Sequence, residues 1–235
     1  MTAWGRKINR LGFVRTNDMN RKRVIMGWVK IVVGLLIFSL GVHLTIRANL
    51  GLAPWDCLGM GISFQTPLNY GLSMTMTSLI ILFIDILINE KIGFGTIIDA
   101  LLTGNAVQLF NDMDPFPQTT GTLAGILIII AGLALMAIGQ CIYMSSAQCC
   151  GPRDALLVGL GKHLSRFPIG AVQIMLWGTA LLIGWLLGGP VGIGTLVSTF
   201  GSGIVMQIIF AFIRFEPRSI EHHGAIDTLK ALCHG

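Results

Sequence analysis

Ala53-Pro54-Trp55-Asp56 and Gly151-Pro152-Arg153-Asp154 are the stretches whose reading decides the fold. Each sets a proline and an acid between two apolar runs of membrane length. Proline lacks an N–H and clashes with the preceding turn, so it cannot sit inside a helix, but it suits a first helical position. An acid two residues later faces free backbone donors and the positive end of the helix dipole. Each stretch therefore reads as a break followed by a new short helix, over 54–65 and 154–164. Neither is long enough, at about 1.5 Å per residue, to cross a hydrocarbon core of about 30 Å.

The runs around these breaks are strongly apolar. Of 235 residues, 53% are hydrophobic and 11% charged, against about 25% charged in soluble domains. This composition places the chain in the membrane. The formal net charge is +5, and 7 of the 16 basic residues precede residue 24 (Arg6, Lys7, Arg10, Arg15, Arg21, Lys22, Arg23). In front of a membrane span, such a cluster reads as an anchor on anionic lipid headgroups rather than a nucleic-acid patch, at about 1 kcal/mol per basic residue. The run from Val24 to Ile46 is longer than a signal-peptide core and ends in no small-residue cleavage site, so it is a retained span. The five cysteines are odd in number and lack metal-ligand spacing, and they imply no disulfide framework.

Six spans are expected, at about 24–46, 68–88, 95–110, 122–146, 168–187 and 194–213. They divide the chain into a basic segment (1–23), a first membrane unit (24–120), a second (121–213) and a charged tail (214–235). The two units repeat one plan. At an offset of 98, Gly27, Gly34, Gly41, Pro54, Asp56 and Gly61 match Gly125, Gly132, Gly139, Pro152, Asp154 and Gly159. At 99, Gly71, Gly93, Gly95, Gly104 and Gln108 match Gly170, Gly192, Gly194, Gly203 and Gln207. Eight of the ten glycines from 27 to 104 find a glycine partner, which periodicity of apolar spans alone does not produce.

Basic residues favour the cytoplasmic side. With the N-terminus inside, six crossings put 14 basic residues inside and Arg47 outside, leaving Lys30 within the first span. Both termini are then cytoplasmic. Three crossings per unit is odd, so the expected fold is all-α, with two inverted repeats of about 98 residues. Each has three transmembrane helices and one short re-entrant helix. If the short helices cross fully, each unit has four spans and the repeat is parallel instead.

Several polar residues fall inside this apolar frame. Asp56 and Asp154 either bind a cation, a proton or a substrate at the helix breaks, or cap their own helices. Arg153, matched by Trp55 in the first unit, binds an anionic group, pairs with Asp56 or Asp99, or serves topology. Asp99 lies within the third span, where an acid must face the bundle interior or a water-filled cavity; its repeat partner is Ser198. Asn105, Gln108 and Gln207 supply neutral hydrogen bonds, to a ligand or between helices. Asp85 falls near the cytoplasmic end of the second span, solvated or paired with Lys91. His43 reads as a structural histidine.

No phosphate-binding loop, HExxH or GxSxG motif, or His/Cys metal cluster is present in the sequence. No catalytic residue, cofactor or metal is therefore expected, and the chain reads as no enzyme.

Pro54-Trp55-Asp56 after Gly51, and Gly151-Pro152-Arg153-Asp154 followed by Leu156, resemble the signature stretches of the YczE-type bacterial inner-membrane proteins, related to the broader YitT group. The likeness covers most of 24–213. Ala155 departs from the glycine common there. The resemblance implies a multi-pass protein of a bacterial cytoplasmic membrane and carries over no substrate. Two functions follow: transport of a small molecule or ion through a midplane site, or a non-transporting accessory or regulatory role with a protein partner. A homo-oligomer fits either.

Overall fold

A computed structural model describes residues 21–90, 92–146, 151–164 and 166–213. The basic segment before residue 21 and the tail from 214 lie outside them. The described residues are all-helical, with no strand. Eight helices follow one another: α1 (Arg21–Arg47), α2 (Pro54–Gln65), α3 (Tyr70–Leu87), α4 (Phe94–Met113), α5 (Thr122–Met144), α6 (Pro152–His163), α7 (Ile169–Leu186) and α8 (Ile193–Ile213). Five of these, α1, α3, α5, α7 and α8, are long and apolar enough to cross a membrane. The sixth expected span is α4. Its 20 residues give it the length, but Asp99, Asn105, Gln108, Asn111 and Asp112 dilute its apolar character.

Both breaks form as the proline dictates. Pro54 and Pro152 open α2 and α6, each after an extended residue, Ala53 (ψ 155°) and Gly151 (ψ 150°). The extended segment before α2 is held to the α7–α8 turn. There Leu52 N–H donates to the Pro190 carbonyl at 3.1 Å, and Gly194 N–H to the Leu50 carbonyl at 2.7 Å. Gly51 turns this segment with φ +103°, a left-handed conformation that favours glycine.

α1 and α5 form the central pair. Gly34 opposes Gly139, and Gly41 opposes Gly132; as numbers rise along one helix they fall along the other, so the two run antiparallel. A Cβ built on Gly34 would lie 2.8 Å from the Gly139 carbonyl oxygen, and one on Gly41 2.6 Å from that of Gly132. Small residues allow this backbone approach where lipid supplies no hydrophobic drive between helices. α4 packs on α1, and α8 on α5. The short helices bridge the halves: α2 lies against α3 and α7, and α6 against α7 and α3.

The ends of the short helices mark opposite ends of the bundle. Gln65, closing α2, donates through Nε2 to the Leu187 carbonyl just past α7 at 3.0 Å. Lys162, near the end of α6, pairs at 2.6 Å with Glu90 just past α3. An exposed ion pair of this kind contributes about 0–1 kcal/mol, but it fixes where α6 ends. α3 and α7 therefore run antiparallel. The outer faces of α7 and α8 are left apolar and open, as at Ile174 and Phe212, which is the condition of a lipid-facing surface.

Gly41→Leu is expected to lower stability by about 3 kcal/mol, the upper part of the overpacking range, because the atoms in its way are backbone. Gly170→Leu, where a Cβ meets nothing within 4 Å, is expected to stay within about 0.5 kcal/mol of the parent. Unfolding of the purified protein in detergent micelles measures both.

Candidate functional site

The starts of α2 and α6 come together. Arg153, the second residue of α6, lies over the Trp55 ring of α2, with Cζ 5.3 Å from the ring centroid. That is within range of a cation–π attraction, which strengthens as water is removed. The two helix starts border a cavity of about 300 Å³, at the lower end of sizes that hold small molecules. Asp56, Asp99 and Asp154 line it together with Arg153.

These four residues arrive from three elements: Asp56 from α2, Asp99 from α4, and Arg153 and Asp154 from α6. Tyr70, at the start of α3, donates its hydroxyl to Asp56 Oδ1 at 3.0 Å. Thr103, one turn along α4, donates to Asp99. Asp99 also reaches the start of α6. A Cβ built on Gly151 would lie 3.0 Å from Asp99 Oδ2 and 3.6 Å from Asp154 Oδ2. A side chain at 151 would press on the Asp99 carboxylate and meet that of Asp154 at ordinary contact distance. Asp56, Asp99 and Asp154 all fall within Coulombic range of Arg153. Among the described residues Arg153 makes no ion pair; its Nη2 lies 3.8 Å from the Met74 sulfur. The guanidinium thus lines the same cavity as three carboxylates and is ion-paired with none of them.

The sequence residues divide cleanly by position. Asp56, Asp99, Arg153, Asp154, Pro54 and Pro152 line the cavity; Asn105, Gln108 and Gln207 stand outside it. Asn105 donates to the Leu101 carbonyl at 2.6 Å and to Thr75 at 3.3 Å. Gln108 Oε1 accepts from Gly71 N–H at 3.2 Å, and its Nε2 donates to Asp112 at 2.7 Å. Gln207 is exposed on α8. His43 is buried, its Nδ1 2.7 Å from Asn111 Oδ1.

Asp85 is not solvated as its place near a helix end suggested. It is fully buried, and neither carboxylate oxygen has a hydrogen-bond partner among the described residues. α6 packs on the segment just past α3: a Cβ on Gly159 would meet the Ile88 and Glu90 side chains. Lys91, its expected partner, lies outside the described residues.

The cavity also takes Gln140 from α5, and Gln173 and Trp177 from α7. Motif reading passes over them. The available signal is that Gln140 and Gln173 are lone amides in otherwise apolar spans, where a polar side chain seeks the interior.

A family model described as "Family of unknown function (DUF6198)" matches residues 25–211. The chain belongs to this family. The "Uncharacterized membrane protein YczE" of Bacillus subtilis is 27% identical over 190 residues, 80% of this chain and 86% of its own length. Bacillus subtilis "Uncharacterized protein YyaS" is 29% identical over 184 residues, covering 77% and 90%. An "Uncharacterized protein" of Haemophilus influenzae is 29% identical over 185 residues, covering 78% and 83%. The resemblance to YczE-type proteins read from the two proline stretches is thereby borne out, and the chain is a membrane protein. No solved structure matches.

Tyr70→Phe removes the donor to Asp56 and is expected to lower stability by about 1–3 kcal/mol, the cost of an unsatisfied buried acceptor. Asp56→Asn with Tyr70→Phe is expected to lose less than the sum of the two single changes, since they share one contact. Denaturation of the three variants in micelles gives the coupling.

Proposed function

We propose that the chain is a multi-pass transporter of a bacterial cytoplasmic membrane, moving a small molecule or ion through the cavity between the two short helices. The observation that carries this reading is that Asp56, Asp99 and Asp154 line one cavity of about 300 Å³ together with a single guanidinium, Arg153. Three carboxylates against one cation favour a positively charged occupant, and the Trp55 and Trp177 rings suit an organic one.

In this reading the two halves are an inverted pair, with α2 and α6 re-entrant from opposite faces. Its support is the glycine register of the sequence, the antiparallel α1–α5 and α3–α7 pairs, and the exit of α2 and α6 at opposite bundle ends. Transporters built from inverted repeats place their sites at broken helices near the midplane. α4, with its acid turned to the cavity, is the sixth crossing. The distribution of basic residues puts both termini in the cytoplasm, with residues 1–23 on anionic headgroups. The chain acts as a carrier and not as an enzyme, in keeping with the absence of nucleophile and metal motifs from its sequence. The other reading, an accessory or regulatory membrane protein, leans on that basic segment and needs no occupant in the cavity.

Uptake into liposomes containing the purified protein separates the two. Guanidinium, choline and ethidium, each labelled or fluorescent, are the probes. The transport reading expects at least one to enter faster than into protein-free liposomes, and Asp56→Asn and Asp154→Asn each to slow that entry at least tenfold. Uptake equal to protein-free liposomes for all three, or wild-type rates in both variants, would contradict it.

A further inference from the structure

The two halves of the chain carry the same helix seam, and the structure holds it in two different states. In the first half, α3 and α4 meet near the start of α3 through Gly71 and Gly104, both buried. A Cβ on Gly71 would lie 2.8 Å from the Gly104 carbonyl oxygen, and one on Gly104 2.6 Å from that of Gly71. Gln108 fastens the seam by accepting the Gly71 N–H at 3.2 Å.

The second half keeps all three residues at an offset of 99, as Gly170, Gly203 and Gln207. There the seam is apart. Gly170 and Gly203 are exposed, and a Cβ at either would meet nothing within 4 Å. Gln207 is exposed and makes no hydrogen bond among the described residues. The gap communicates with the cavity, whose lining runs along α8 through Thr199, Ser202, Gly203 and Met206 and takes Gln173 and Trp177 from α7. Because α3 and α7 run antiparallel, the shut seam and the open one lie at opposite ends of the bundle.

In their present positions Gly170, Gly203 and Gln207 gain nothing. Glycine within a helix is destabilising relative to alanine, and an amide on an outward helix face in hydrocarbon lacks water to satisfy it. Both costs are offset if the two helices close.

We propose that α7 and α8 form a gate, which shuts when Gly170 meets Gly203 and Gln207 Oε1 accepts the Gly170 N–H. The structure holds this gate open and its α3–α4 counterpart closed. The closed seam at Gly71–Gly104 is the geometry it adopts. Shutting one seam and parting the other moves access to the cavity from one end of the bundle to the other, as gating of one repeat does in transporters of this plan. The gate's role in moving a solute rests on the transport reading above; the closure itself does not.

The test is a double-cysteine variant, Gly170→Cys with Gly203→Cys, in a background whose five native cysteines are replaced by alanine. Oxidation in the membrane is followed by loss of thiols reactive with a polyethylene-glycol maleimide. A disulfide needs Cβ atoms about 3.5–4.5 Å apart, whereas a Cβ at either glycine meets nothing within 4 Å in the structure. The gate predicts a disulfide yield at least fivefold above a control pair, Gly178→Cys with Gly203→Cys, set about two turns out of register. It also predicts that Gly203→Leu inserts and melts as the parent does, while uptake of any transported probe falls at least tenfold. No disulfide at 170–203, or equal yields for both pairs, overturns the gate. A Gly203→Leu variant that transports at the parent rate overturns it as well. A disulfide at 170–203 in a protein that moves none of the three cations leaves the gate standing and removes the transport reading.

Discussion

A carboxylate cannot face hydrocarbon. Besides the buried Asp85, three of them gather around one cavity in this bundle, on helices otherwise built of Ile, Leu, Val, Gly and Phe, and the cost of leaving any exposed to lipid runs to several kcal/mol. The arrangement follows from that constraint. Asp56, Asp99 and Asp154 must share an interior space, and Arg153 must lie within reach of all three. A continuous helix cannot deliver Asp56 and Asp154 there with their first-turn donors still free. Pro54 and Pro152 break the chain at that depth, and the helix starts then face each other across the cavity.

The bundle can hold such a polar interior because its frame is tight elsewhere. α1 and α5 touch backbone to backbone at Gly34–Gly139 and Gly41–Gly132, so their packing needs no side-chain accommodation. α3 and α4 touch the same way at Gly71–Gly104. Only at α7 and α8, among the described residues, do equivalent glycines stand apart, and that is where the cavity reaches outward. Rigid seams and an open one therefore coexist in a chain that repeats the same residues at both.

Most of this fold is legible in the sequence, for identifiable reasons. Proline at a first helical position is a strong signal: α2 starts at Pro54 as read, while α6 starts at Pro152, two residues before the expected 154, because Pro152 takes the first helical position just as Pro54 does. Glycine register shows which helices pack closely, because few other residues allow a carbonyl at that distance. What the sequence conceals is direction. Asp85 and Asp99 are both acids in apolar helices, yet one is buried with no hydrogen-bond partner among the described residues and the other lines the cavity. Asn105 and Gln108 sit one and four residues from Gly104, which lines the cavity and the α3–α4 seam, and still hydrogen-bond to nearby backbone instead. Tyr70 meets Asp56 across 14 residues and the α2–α3 turn, a contact no local spacing encodes. The separation of α7 from α8 is equally hidden, since nothing in the sequence sets Gly170 and Gly203 apart from their repeat matches Gly71 and Gly104.

The central claim is that the two halves stand in opposite orientations about one charged cavity. Membrane-impermeant thiol labelling tests it most directly, with a single cysteine at Thr66 past α2 or at His163 closing α6, both exposed positions, in the cysteine-free background. In intact cells the account predicts labelling of the cysteine at 66 and protection of the one at 163 until the membrane is permeabilised. Labelling of both from the same side would contradict it.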